Sequence, residues 1–88
     1  MHIRTAMEHF YRTIRLDDQN VTFYFNKIKA ADGFRFCVSV VTGEGKTYIY
    51  YMVEQQGRWV FTHTCNCPGW LLSQEQKLSA IIAEHDYH

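Results

Sequence analysis

Thr47-Tyr48-Ile49-Tyr50-Tyr51-Met52-Val53 is a run of aromatic and β-branched residues, the composition of a strand. Successive residues of a strand point to opposite faces, so a strand at the surface of a small domain alternates apolar and polar side chains. This one is apolar on both faces. Its second apolar face requires a cover or a partner, and the fold and the function both turn on which half of the strand belongs to the core.

Three similar runs flank it. Val21 to Ile28, Phe34 to Thr42 and Arg58 to Thr64 are rich in aromatic and β-branched residues, and short turn signals separate all four. They read as an antiparallel meander. The turns then set the register. Asp32-Gly33 suits a two-residue hairpin turn that places Ala31 opposite Phe34, and Glu44-Gly45 suits one that places Gly43 opposite Lys46. Between the last two strands, a three-residue loop Gln55-Gln56-Gly57 pairs Glu54 with Arg58 and is preferred because it matches opposite charges across the strands.

On these registers Phe23, Phe25, Phe36, Val38, Val40, Ile49, Tyr51, Val53, Trp59 and Phe61 share one face, which is the expected core. Tyr24, Val41, Tyr48, Tyr50, Met52 and Val60 share the other, with Arg35, Glu54 and Arg58 toward one end.

Two helices complete the reading. Ile3, Met7, Phe10 and Ile14 recur at three- and four-residue spacing while Arg4, Glu8, Arg12 and Arg15 fall elsewhere, which predicts an amphipathic helix over the first sixteen residues, ended by Asp17-Asp18-Gln19-Asn20. After Cys65-Asn66-Cys67-Pro68-Gly69-Trp70, the pair Ser73 and Gln76 forms a capping-box pattern ahead of Leu78, Ile81 and Ile82, and predicts a helix from about Gln74 to His85. The expected fold is α+β in the order αββββα, residues 1–88 forming a single compact domain. Its four-stranded antiparallel meander carries two helices packed on one face. The competing arrangement sends the second helix to the other face.

Composition narrows the function classes. At 47% hydrophobic and 16% aromatic the chain lies well above disordered segments, so it can bury a core. Nine basic and nine acidic residues cancel, which removes the global field that draws in nucleic acid or an anionic membrane and eases self-association. The amino-terminal residues have charges every few positions and no apolar run of signal-peptide or membrane-span length. Together with an odd count of three cysteines, this predicts a cytoplasmic protein without a disulfide framework.

The second sheet face carries the functional expectation. A tyrosine buries about 150–250 Å², so even partial exposure of three of them makes a patch of interface size. Tyrosine, methionine and arginine are enriched where proteins dock. The expected partner-binding residues are Tyr24, Arg35, Tyr48, Tyr50, Met52, Arg58 and Val60. An inhibitor, an immunity or adaptor-type protein, or a mobile-element or phage-type accessory protein would act this way, by occlusion and without chemistry. A homodimer through the sheet face is the other occupant of this kind. No catalytic residues and no cofactor are assigned.

Two alternatives use different residues. A single-stranded nucleic-acid platform would stack bases on Tyr24, Tyr48 and Tyr50 and hold phosphates with Arg35, Lys46 and Arg58, against which stands the balanced charge. A metal-binding reading would use His63, Cys65 and Cys67, but the spacing is tighter than the usual paired-cysteine zinc motifs. Small apolar cysteines packed beneath Trp70 are the plainer account.

Overall fold

Phe10 and Ile14 stand four residues apart, a spacing that satisfies the helical period and the two-residue strand period alike. The computed structural model, which describes residues 9–31, 33–62 and 67–86, resolves this ambiguity in favour of the strand. Strand β1 (His9–Leu16) turns Phe10, Arg12, Ile14 and Leu16 inward and His9, Tyr11, Thr13 and Arg15 outward. The inward Arg12 breaks the apolar alternation, which is why this strand reads as a helix in the sequence. The first eight residues of the expected helix lie outside the described residues.

Asp17 and Asp18 do not end a helix. Both have positive φ, 47° and 68°, and they form a tight hairpin that closes Leu16 on Gln19. Positive φ at both central residues gives the turn a twist that matches the flanking strands, and aspartate tolerates that region better than most residues.

Four further strands follow, β2 (Gln19–Ala30), β3 (Gly33–Val41), β4 (Thr47–Gln55) and β5 (Arg58–Phe61), and all pair with their sequence neighbours in one antiparallel sheet of order β1-β2-β3-β4-β5. The fold is α+β, and the described residues run as five strands followed by two short helices where the sequence predicted the order αββββα. Three registers differ from the expected ones. Phe34 pairs with Lys29 rather than Ala31, a shift of two positions that leaves every side chain on its expected face.

The β3–β4 connection has the larger consequence. It closes through Gly43-Glu44-Gly45, with the Gly45 amide donating to Thr42 O at 2.9 Å and the Thr42 amide to Lys46 O at 2.9 Å. Gly45 at φ 87° occupies the left-handed position such a three-residue loop requires. Thr47 therefore pairs with Val41, one position from the two-residue expectation, and the whole of β4 is turned over. The β4–β5 loop is the reverse case, the two residues Gln56-Gly57, both with positive φ, pairing Gln55 with Arg58. The second inversion offsets the first, and Trp59 and Phe61 return to the core face.

The core face, here the inner face, buries Ile14, Val21, Phe23, Phe25, Phe36, Val38, Val40, Tyr50, Met52 and Trp59. Phe10 stacks on Phe25 at 4.6 Å between ring centroids, and Phe36 meets Trp59 edge-on at 5.0 Å. Helix α1 (Gly69–Leu72) contributes the buried Leu71, and helix α2 (Glu75–Asp86) contributes Leu78, Ile81 and Ile82. Helix α2 begins within one residue of its expected start at Gln74. The Ser73 hydroxyl donates back to Trp70 O at 2.7 Å, at the end of α1.

Helix α2 reaches both edges of the sheet. At its start, Glu75 Oε2 accepts the Phe61 amide at 2.8 Å and Ser79 Oγ accepts the Trp59 amide at 2.9 Å. At its end, the His85 ring stacks on Phe10 with centroids 3.8 Å apart and Glu84 lies 3.7 Å from Arg12. Four strand gaps make a flat sheet about 19 Å wide, whereas Glu75 to His85 rises only about 15 Å. Curling of the sheet around the helix supplies the difference.

Candidate functional site

Inverting β4 exchanges the two halves of the strand that decides the fold. Tyr50 is 2% exposed and Met52 is fully buried, while Ile49 and Tyr51 are 64% and 42% exposed. Tyr48, half-buried, also faces inward and meets the ring of Trp70 edge-on at 6.1 Å. Three of the seven expected partner-binding residues, Tyr48, Tyr50 and Met52, are thus core-face residues, a correction that follows from the three-residue turn at Gly43-Glu44-Gly45. Glu54 moves with them to the inner parity.

The other expected residues keep their side. Tyr24, Arg35, Arg58 and Val60 all belong to the outer face, with Tyr24 and Arg58 exposed and Arg35 and Val60 half-buried. Around them stand Tyr11, Ile49 and Tyr51, which were expected elsewhere, together with Ile28 and the expected Val41. Tyr11, 67% exposed, lies opposite Tyr24, 46% exposed, with ring centroids 6.0 Å apart. Ile28, Val41, Ile49 and Tyr51 complete the set of exposed large apolar residues on this side.

Signals for these residues existed. A third-position glycine after Gly43-Glu44 is the mark of the three-residue hairpin loop, and choosing it selects Ile49 and Tyr51. Tyr11 was hidden by the helical reading of its segment.

Cross-strand pairing gives the outer face its relief. Strand β3 presents only Cys37 and Ser39 at its centre, both half-buried, between Tyr24 and Asn26 on β2 and Ile49 and Tyr51 on β4. Small residues between taller walls make a shallow furrow along β3. Val41 stands at one end and Arg35 at the other.

No described element packs on this face, because every strand residue in the core cluster has inner parity and the helices bury Leu71, Leu78, Ile81 and Ile82 against that side. The outer side of the sheet is therefore open among the described residues.

Tyr50, expected on the open face, has its own chemistry inside. The Tyr50 hydroxyl is buried without a hydrogen-bond partner, and burial pushes its ionisation well above the usual tyrosine range. Its ring meets Phe61 edge-on at 4.7 Å. Tyr50→Phe removes a polar atom that nothing satisfies, so thermal or urea denaturation should show a gain of about 1 kcal/mol. The raised folded-state pKa means the wild type loses stability as pH climbs above about 10, by up to about 1.4 kcal/mol per pH unit, as the unfolded chain releases this proton. That component should vanish in Tyr50→Phe, and a variant less stable than wild type at neutral pH would refute the unsatisfied hydroxyl.

His63 and Cys65 of the metal alternative lie outside the described residues. Cys67 is disulfide-bonded, where the odd cysteine count predicted no disulfide framework, and a sulfur so held is no thiolate ligand. It packs half-buried against the core, whereas Cys37 is free. Among the described residues no group of three or more His, Cys, Asp or Glu is placed to hold a metal ion, and no helix is long and apolar enough to cross a membrane. Comparison with protein-family models, curated proteins and solved structures finds no match to this chain.

Proposed function

We propose that the protein is a non-enzymatic binding module that docks another protein on the outer face of its sheet, acting by occlusion as an inhibitor or adaptor does. The observation that carries this reading is the exposure of Tyr11, Tyr24, Ile49 and Tyr51 on a single face that no described element covers. Isolated exposed apolar residues are ordinary, but a contiguous patch containing three tyrosines approaches the size that marks an interface. Tyrosine suits docking because it offers a large rigid surface with a hydroxyl for hydrogen bonding. The surface is the one argued from sequence in kind, with Ile49, Tyr51 and Tyr11 taking the places of Tyr48, Tyr50 and Met52.

Two exposed rings test the reading without touching the core. Tyr24→Ser with Tyr51→Ser should change stability by less than about 1 kcal/mol, since neither ring is packed inside. The same pair should weaken capture of whatever protein co-purifies with the wild type by about tenfold or more, because central aromatic anchors dominate interface energy. Capture by the folded double variant at wild-type strength would end the proposal.

A further inference from the structure

The charge of the chain sums to zero, but its charges are sorted in space. Every described outward-facing position of the five strands is without aspartate or glutamate, while Arg15, Arg35 and Arg58 all face outward. Acidic residues are found in the turns, on α2 and at the inner end of β4. Arg15 is engaged, 3.7 Å from Asp18 of its own hairpin. Arg35 and Arg58 have no such carboxylate among the described residues, and the Arg35 Nε is buried without an acceptor.

These two arginines mark one end of the furrow along β3. Arg35 lies in the line of its floor, and Val53 and Val60 continue the same cross-strand row toward the edge, where Arg58 stands two residues from Val60. The walls on β2 and β4 are two strand spacings apart, about 10 Å, which admits one extended chain between Tyr24 and Tyr51. From Arg35 to Val41 the floor runs about 20 Å, the length of about six extended residues.

We propose that this furrow takes an extended acidic segment of a partner protein, its apolar side chains between the tyrosine walls and its carboxylates on Arg35 and Arg58. The proposal rests on the reading of the outer face as a docking surface and adds the chemistry of the partner. Arginine forms bidentate hydrogen bonds with carboxylate, and an arginine already half-buried has less solvation to lose on pairing. A face bearing one sign of charge also rejects basic partners. Phosphates would suit the same arginines, but a strand of nucleic acid needs cations along its whole track, and the centre of this furrow is Cys37 and Ser39.

A random dodecapeptide display library selected on the immobilised full chain provides the test. The selected peptides should be rich in aspartate or glutamate with an aromatic or aliphatic residue nearby. A synthetic copy of the strongest should bind about tenfold more weakly to the variant carrying Arg35→Gln and Arg58→Gln. Arg58→Gln alone, at an exposed site, should weaken it several-fold even if the Arg35 change disturbs folding. Raising ionic strength from about 0.01 to 0.15 M, which shortens the Debye length from about 30 to 8 Å, should also weaken binding several-fold. The bound peptide should slow alkylation of the free Cys37 in the furrow floor.

Selection of no peptides, or of peptides without acidic excess, overturns the inference, as does tighter binding of an oligothymidine strand than of the best peptide. If the arginine variants bind as wild type while Tyr24→Ser with Tyr51→Ser does not bind, the acidic partner is wrong and the docking face stands. If the tyrosine variant binds unchanged, both fall.

Discussion

Tyr50→Ser with Met52→Ser should unfold the protein. Met52 is fully buried and pairs with the core residues Phe36 and Phe61 across the sheet, so its truncation removes a core side chain and leaves a hydroxyl in its place. Large-to-small changes of this kind cost about 2–5 kcal/mol, and the loss of a buried aromatic ring about 3–5 kcal/mol. A chain of 88 residues has a total stability of about 4–13 kcal/mol at the usual value per residue. The two losses together take most or all of it. Near-ultraviolet circular dichroism of the double variant should lose its aromatic signal at room temperature, and no cooperative thermal transition should remain. Ile49→Ser with Tyr51→Ser, one position along the same strand, should instead melt within a few degrees of wild type. This pair of experiments reads the β4 register directly. If the inner pair tolerated substitution and the outer pair did not, the strand would be turned the other way and the docking face would be misassigned.

The sheet was legible where composition carries the signal and obscure where parity does. Strands β2 to β5 stand out by their aromatic and β-branched content, and each falls within a few residues of its expected span. Face assignment needs one further quantity, the number of residues in each turn, and an error of one inverts every side chain beyond it. The Gly43-Glu44-Gly45 loop offers two readings with nearly the same residues. In most chains hydrophobicity would choose between them, but β4 is apolar on both sides, so either orientation buries an acceptable set. Tyr50 against Tyr51 is a choice between two identical residues, and the one taken inside leaves its hydroxyl unsatisfied. Nothing in the hydrophobic pattern of β4 favours that outcome. It is set by the three-residue loop with Gly45 in the left-handed position, after which the Tyr50 ring meets Phe61 and Met52 is buried in the centre of the sheet.

Strand β1 was obscured differently. A single inward arginine, placed where α2 supplies Glu84, gives the segment the look of a helix with a polar stripe. The two errors concern one surface, because Tyr11 from β1 and Ile49 and Tyr51 from β4 are the residues that the docking face gains.

Leu78→Asp should separate α2 from the sheet, with an effect that spreads beyond the core. Leu78 is fully buried within the apolar core cluster, so a carboxylate there would have to stay uncharged, carry a desolvated charge or leave. Undocking the helix is the least unfavourable course. The loss should exceed about 4 kcal/mol, above the 2–5 kcal/mol range's midpoint for Leu78→Ala, which makes only a cavity. Undocking also withdraws Glu75 and Ser79 from the amides of Phe61 and Trp59. Those two amides point away from β4, and once uncovered they turn β5 into an open edge strand flanked by exposed aromatic surface. Leu78→Asp should therefore exchange the Trp59 and Phe61 amides rapidly and self-associate as concentration rises, whereas Leu78→Ala should be less stable but monodisperse at temperatures where it is folded. Hydrogen exchange and sedimentation distinguish the two. Slow exchange at both amides in Leu78→Asp would mean that the β5 edge is protected by something other than α2, and the role of the helix as the cover of that edge would have to be abandoned.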